Sequence, residues 1–194
     1  MKVAKIRLLA VIAILLFAMV GCTAVAPAPA ATTGDQAAAD TGTTAKKEYK
    51  DLVVGYAQIG AESEWRTANT ASIQETAKEL GINLKFSDAQ QKQENQIKAL
   101  RSFIAEKVDV IGIPPVVTTG WETVFQEAKD AGIPIILVDR RADVPEDLYV
   151  SYLGSDFTEE GRRAAKALAE IVSEKANIVE LVGTVGSAPA TDRG

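Results

Sequence analysis

Between Gln58 and Arg66 the chain reads Gln-Ile-Gly-Ala-Glu-Ser-Glu-Trp-Arg, which gathers two carboxylates, a hydroxyl, an indole and a guanidinium in one short stretch. An indole face packs on the C–H face of a small polyol. In this polar cluster of Glu62, Ser63, Glu64, Trp65 and Arg66, the charged groups beside the indole, a guanidinium and a carboxylate, suit forked hydrogen bonds to neighbouring hydroxyls. The same residues also fit a polar surface turn with Trp65 capping the edge of the core. A second cluster, Asp139-Arg140-Arg141, follows the apolar run Ile133-Pro-Ile-Ile-Leu-Val138. A carboxylate and a guanidinium there can clamp adjacent hydroxyls or simply form an ion pair at a loop start. Glu62 and Glu64 are candidates for acid–base work, but no nucleophile or metal cluster accompanies them. The chain has no His, which excludes His-ligated metals and Ser-His or Cys-His catalysis. Gly183-Thr-Val-Gly186 lacks the Lys-Ser/Thr of a phosphate loop. No catalytic residue, metal or cofactor is expected.

The elements that must position these clusters alternate. Leu52-Val-Val-Gly-Tyr-Ala57 is a β-branched apolar run and predicts a buried strand broken at Gly60. Ile73, Ala77 and Leu80 predict one helical face, stopped by Gly81. Ile82–Phe86 alternates as an edge strand does, and Ile97, Leu100, Phe103 and Ile104 form a second helical face. Val108–Ile113 predicts a short buried strand. Thr119-Gly-Trp-Glu122 has capping-box spacing ahead of a helix lined by Trp121, Val124, Phe125 and Ala128. Strands are expected at Ile133–Val138, Tyr149–Leu153 and Ile178–Val182, and a helix capped at Asp156 runs through Leu168 and Ile171. Glu159-Glu160 and Arg162-Arg163 read as an exposed, self-paired helix face. Successive βα units predict an α/β fold, a doubly wound parallel sheet with right-handed crossovers. All strand C-terminal ends then share one edge, where Gln58, Glu62, Ser63, Trp65, Arg66, Asp88, Gln90, Asp139, Arg140 and Asp156 collect.

Composition narrows the partners. A formal net charge of −5 over 194 residues, with no basic patch, argues against nucleic acid. Lys2, Lys5 and Arg7 precede the apolar run Leu8–Ala18, shorter than the roughly 20 residues of a membrane span. Met19-Val-Gly-Cys22 then resembles a bacterial lipoprotein signal, with Met19 in place of the usual Leu. Cys22 is the single Cys, and lipidation explains a lone thiol in an exported chain, the alternative being an ordinary cleaved secretory signal. Residues 1–22 are thus expected to be a lipoprotein signal peptide. Residues 23–50, rich in Ala, Pro and Thr, form a flexible tether.

Longer motifs carry a resemblance. Gln58–Arg66, Asp88-Ala-Gln-Gln-Lys-Gln-Glu-Asn-Gln-Ile97, Pro115-Val-Val-Thr-Thr-Gly-Trp-Glu122, Val138-Asp-Arg140, Glu180–Gly186 and Asp192-Arg193 resemble sugar-binding proteins of ABC importers, within them the galactofuranose-binding group. The resemblance implies the type I periplasmic-binding fold: two similar lobes with strand order 2-1-3-4-5, hinged and closing on one sugar. It implies ligand contacts from Glu62, Ser63, Glu64, Trp65 and Arg66, from Asp139 and Arg140, and from Arg193 in the second lobe. Glu64 departs from the small residue of its relatives. It further implies a monomer that captures a galactofuranose-like monosaccharide, without bond breaking, for a permease in the membrane. Residues 51–155 would be the N-terminal sugar-binding lobe and 156–194 the incomplete start of the second, so the chain reads as a fragment with weak sugar affinity. A sugar-sensing co-receptor is the alternative. An exported carbohydrate-active enzyme would need a paired acid and base, and a repressor a DNA-binding helix pair where the signal segment stands.

Overall fold

The computed structural model describes residues 46–172 and 175–194. Five strands, β1 (Val53–Gln58), β2 (Asn83–Asp88), β3 (Val110–Ile113), β4 (Ile135–Asp139) and β5 (Ser151–Gly154), make one parallel sheet in the order β2-β1-β3-β4-β5. Helices α1 (Glu64–Leu80), α2 (Gln93–Ala105) and α3 (Glu122–Asp130) connect the first four strands. Two further helices, α4 (Phe157–Val172) and α5 (Ala188–Arg193), follow β5. The fold is the doubly wound α/β lobe that the βα rhythm predicts.

One face of the sheet packs the core. Ala57, Ile111, Ile113, Ile135 and Leu137 point into a cluster with Leu100 and Phe103 of α2 and Val124, Phe125 and Ala128 of α3. Gly55 is what lets α2 come down on β1, since a Cβ there would sit 2.6 Å from the Phe103 ring. The opposite face carries Gln58, which reaches Asn69 and Thr70 of α1, so α1 covers that side. Tyr56 lies flat across Gly112 and stacks on Phe86 of the edge strand. Gly81 and Gly132 both stop helices in the left-handed region, φ +73° and +72°, where glycine carries no Cβ penalty.

Four details differ from the sequence reading. Ile178–Val182 is not a strand: among the described residues no neighbour offers it a ladder, and its apolar side chains lie in solvent. The expected Thr119 capping box does not form. Instead α3 starts at Glu122 behind Trp121, whose indole N–H donates to the Val117 carbonyl at 2.6 Å and turns the chain first. Leu80 lies on the exposed side of α1 rather than with Ala77. Glu160 is not part of a self-paired helix face, because its partner is Arg193, far along the chain. The Asp156 cap holds, accepting the Glu159 N–H at 2.9 Å.

Candidate functional site

The parallel register sets the strand tips side by side: Gln58 faces Asp88 and Asp139 faces Gly154. Two buried glutamines fix this crest. The Gln58 amide donates to Asn69 and Thr70, both at 2.9 Å, and its oxygen accepts the Ile59 N–H, so the end of β1 is tied to α1. The Gln96 amide donates to the carbonyls of Ala57 and Pro114 at 2.9 and 2.8 Å and accepts the Val116 N–H at 3.0 Å, which locks the ends of β1 and β3 together. Helix α1 begins on the crest because Ser63, extended, caps it by accepting the Arg66 N–H at 3.1 Å. That cap aims Glu62 and Arg66 inward and leaves Trp65 half exposed on the rim.

Four charges meet there. The Arg66 guanidinium, 2% exposed, donates from Nε to Glu62 Oε1 at 3.1 Å and from Nη2 to Asp139 Oδ2 at 2.6 Å. Its plane also lies over the Trp65 ring, 4.7 Å from the centroid. Arg140 stands behind, with Nη2 at 3.8 Å from Glu62, Nε at 3.9 Å from Asp139, and Nη1 donating to the Val116 carbonyl at 3.3 Å. Burial and the neighbouring Arg66 charge lower the Arg140 pKa, opposed by Asp139 and Glu62. Two cations against two carboxylates make the quartet neutral, which is how so much charge is buried together. Its satisfaction is incomplete. Among the described residues the buried side-chain atoms without a hydrogen-bond partner are Glu62 Oε2, Arg66 Nη1, Arg140 Nε and the Tyr56 hydroxyl. Three of the four belong to the quartet. Burial raises the Tyr56 pKa, with the Arg66 charge opposing, so that hydroxyl stays protonated.

Asp139 holds an unusual backbone. Its φ is +64°, and the Arg140 N–H donates back to the Val138 carbonyl at 2.6 Å, a γ-turn at the tip of β4. A non-glycine residue in this region carries strain of about 1–3 kcal/mol, and Asp is among the side chains that tolerate it. The turn sends successive side chains, Asp139 and Arg140, to the same side of the crest.

The facing wall comes from the chain beyond β5. The cleft between them, about 420 Å³, is lined by Glu62, Ser63, Trp65, Arg66, Asp139 and Arg140 on one side. Phe157, Glu160, Thr184, Ser187, Pro189 and Arg193 are among those on the other. Arg193 lies over the Phe157 ring at 4.5 Å and pairs with Glu160 at 2.6 Å. Two ties dock this wall on the strand tips. The Arg141 guanidinium makes a two-point fork on Asp192, 2.8 and 2.6 Å, and the Thr118 N–H donates to the Gly186 carbonyl at 2.9 Å. The fork holds the Asp192 carboxyl below the usual carboxylate range.

Of the residues singled out in the sequence, the structure brings Glu62, Ser63, Trp65, Arg66, Asp139, Arg140 and Arg193 to one cleft. Glu64 is not with them; it opens α1 on its exposed side. Gln58 is spent inside the fold, and Asp88 accepts the Gln90 N–H to shape its own loop. Cys22 lies outside the described residues. Sequence reasoning missed Gln96, Phe157 and Glu160. Gln96 left a signal, a polar residue in register with Leu100 and Phe103 on the apolar face of α2. At the other end of the strands a groove of about 210 Å³ runs along Gly132–Ile135 and Leu148–Val150, with only the Lys129–Asp147 pair for charge. Charge and orphaned polar atoms converge on the crest cleft instead. Among the described residues no group of carboxylates is placed to hold a metal ion.

Known proteins resemble this chain in sequence and fold. Residues 54–194 match the family described as periplasmic binding protein domain. The galactofuranose-binding protein YtfQ of Escherichia coli (strain K12) is 51% identical over 144 residues, 73% of this chain and 45% of that one. A Mycobacterium smegmatis protein solved in complex with β-D-fucofuranose is 53% identical, with TM-score 0.69 over 73% of this chain and 48% of that one. The binding-protein component of the arabinose ABC transporter of Shewanella sp. ANA-3, bound to α- and β-L-arabinofuranose, is 52% identical. Its TM-score is 0.70 over 73% of this chain and 47% of that one. The chain spans about half the length of the curated relatives it matches. With the matching domain, the sheet order and the sugar-binding relatives in agreement, the chain belongs to the periplasmic binding protein domain family.

Proposed function

We propose that this chain carries the sugar-gripping lobe of an exported solute-binding lipoprotein that delivers a furanose monosaccharide to an ABC permease. The observation that carries the reading is the neutral quartet of Glu62, Arg66, Asp139 and Arg140 beside the exposed Trp65 face, with three buried quartet atoms still unpaired. A hydroxylated ring stacked on Trp65 gives those donors and acceptors the partners they lack. Carboxylate and guanidinium forks fix its hydroxyls in a dry site where each charge-assisted bond counts for more. Glu62, Ser63, Trp65, Arg66, Asp139, Arg140 and Arg193 are the contacts, and the step is binding alone. Export and a lipid anchor at Cys22 rest on the segment Lys2–Cys22.

The sugars bound by the relatives support a furanose ring. Galactofuranose, D-fucofuranose and L-arabinofuranose share one ring configuration and differ only in the group on the last ring carbon. A site reading the ring face and its adjacent hydroxyls takes all three. Titrating the chain with methyl β-D-galactofuranoside, L-arabinose, D-fucose and D-ribose, followed by Trp fluorescence and calorimetry, tests this. The expected order puts the first three well ahead of D-ribose, with the response lost in Trp65→Ala. Equal or tighter D-ribose binding, or no saturable response to any furanose, overturns it.

A further inference from the structure

We propose that the start of α4 is a seat that positions Arg193 in the cleft, with Glu160 and Gly161 as its positioning residues. The inference rests on the reading of the cleft as a sugar site. Three neighbouring features of α4 converge on one residue, Arg193. Phe157, itself buried, presents its ring under Arg193 at 4.5 Å from the centroid. One turn on, Glu160 Oε2 accepts from Arg193 Nε at 2.8 Å and lies 2.6 Å from Nη2, so one edge of the guanidinium is held. The adjacent Gly161 sets the height. A Cβ there would collide with the Arg193 carbonyl oxygen and come within 2.8 Å of its Cα, both backbone atoms that no side-chain rotation can move away. The missing side chain is therefore what lets the last turn of α5 lie directly on α4. In combination, ring, carboxylate and gap fix the guanidinium in plane, in rotation and in depth. Glu160 and Arg193 both line the cleft, as Trp65 and Asp139 do.

Gly161 makes the idea testable against ordinary helix behaviour. Glycine inside an exposed helix weakens it, and alanine there strengthens it. If Gly161 served only α4, Gly161→Ala would tighten that helix and leave Arg193 alone. If it serves the seat, Gly161→Ala dislodges α5 and frees Arg193.

The experiment follows the Arg193 Nε–H signal by NMR in the whole chain, assigned by its loss in Arg193→Lys, for wild type, Glu160→Ala, Glu160→Gln and Gly161→Ala. Each sample is then titrated with L-arabinose. The Glu160–Arg193 pair is half exposed, so the expected change is modest. Exchange of Nε–H with water should quicken about threefold in Glu160→Ala, with partial recovery in Glu160→Gln, which keeps one acceptor. Gly161→Ala should quicken it at least as much while the amides of α4 stay as protected as before. L-arabinose affinity should fall with the same ranking. Unchanged Arg193 exchange in Glu160→Ala overturns the seat whatever the sugar does, and needs no soluble Gly161→Ala protein. Changed exchange with no response in wild type to L-arabinose, D-fucose or methyl β-D-galactofuranoside upholds the seat and sinks the sugar reading instead.

Discussion

Ile111 and Ile113 in β3 and Val179 and Leu181 beyond α4 belong to similar short β-branched runs, and their fates are opposite. The first pair is wholly buried, while the second is 88% and 94% exposed. In β3 each backbone group finds a parallel neighbour in β1 or β4, and the side chains meet α2 and α3. Along Ile178–Val182 no such neighbour is present among the described residues. The helices show the same contrast. Half-buried or buried residues stripe α2 and α3, whereas α4 buries only Phe157 and leaves Leu168 and Ile171 in solvent. An apolar pattern is a capacity to be buried, and the neighbour decides whether the capacity is used. Beyond β5 the two ties to the strand tips are polar, the Arg141–Asp192 fork and the Thr118–Gly186 bond, with Phe157 and Ala188 the buried apolar residues.

The contrast breaks if the two regions open together. Amide exchange at Ile111–Ile113 should be slower than at Ile178–Val182 by about a thousandfold or more, since one opens only with the whole domain and the other lacks strand bonds. Equal protection would mean that Ile178–Val182 finds a strand partner in solution. Truncation sharpens the point: Ile111→Ala should cost about 3 kcal/mol in urea unfolding, and Leu181→Ala less than about 0.5 kcal/mol. Charge pairs should follow burial too. Arg66→Ala strands Glu62 and Asp139 in a closed site and should cost about 3 kcal/mol. Arg193→Ala removes an exposed pair and should cost under about 1 kcal/mol. The smallest effect concerns pH. Asp192 has a folded pKa below its ordinary 3.8 because Arg141 holds the charged form. The stabilisation is thus complete above pH 3.8 and fades as pH falls through the lower folded value. Signals of α5 should shift in that acid window before those of β3, and Arg141→Ala should abolish the lead.

Much of this architecture was legible in the chain. The βα rhythm, the Gly81 and Gly132 stops and the Asp156 cap are local, so periodicity and single-residue stereochemistry reveal them. The polar clusters after β1 and β4 were legible because a strand tip in a parallel sheet has one destination. Glu64 failed that logic: next to Trp65 in sequence, it opens a helix whose rotation turns it outward. Glu160 was hidden for the opposite reason. Its partner is 33 residues away, and nothing in a Glu-Glu-Gly-Arg-Arg run distinguishes the carboxylate that reaches across from the one that stays on its own helix. Ile178–Val182 misled because β-propensity measures fit to a sheet and cannot say whether a sheet is there.

The Gln96 clamp sets a chemical lifetime for the crest. Both amide hydrogens are committed to carbonyls and the amide oxygen to an N–H. Hydrolysis of that amide, the slow ageing reaction that makes Gln a thermolabile residue, would exchange a two-hydrogen donor for an acceptor facing two lone pairs. A change of one mass unit would then drive the ends of β1 and β3 apart, and with them the Val116 carbonyl on which Arg140 rests. The side chain is fully buried, away from the water the reaction consumes. Ageing of the protein should thus begin at its exposed amides and reach the cleft last.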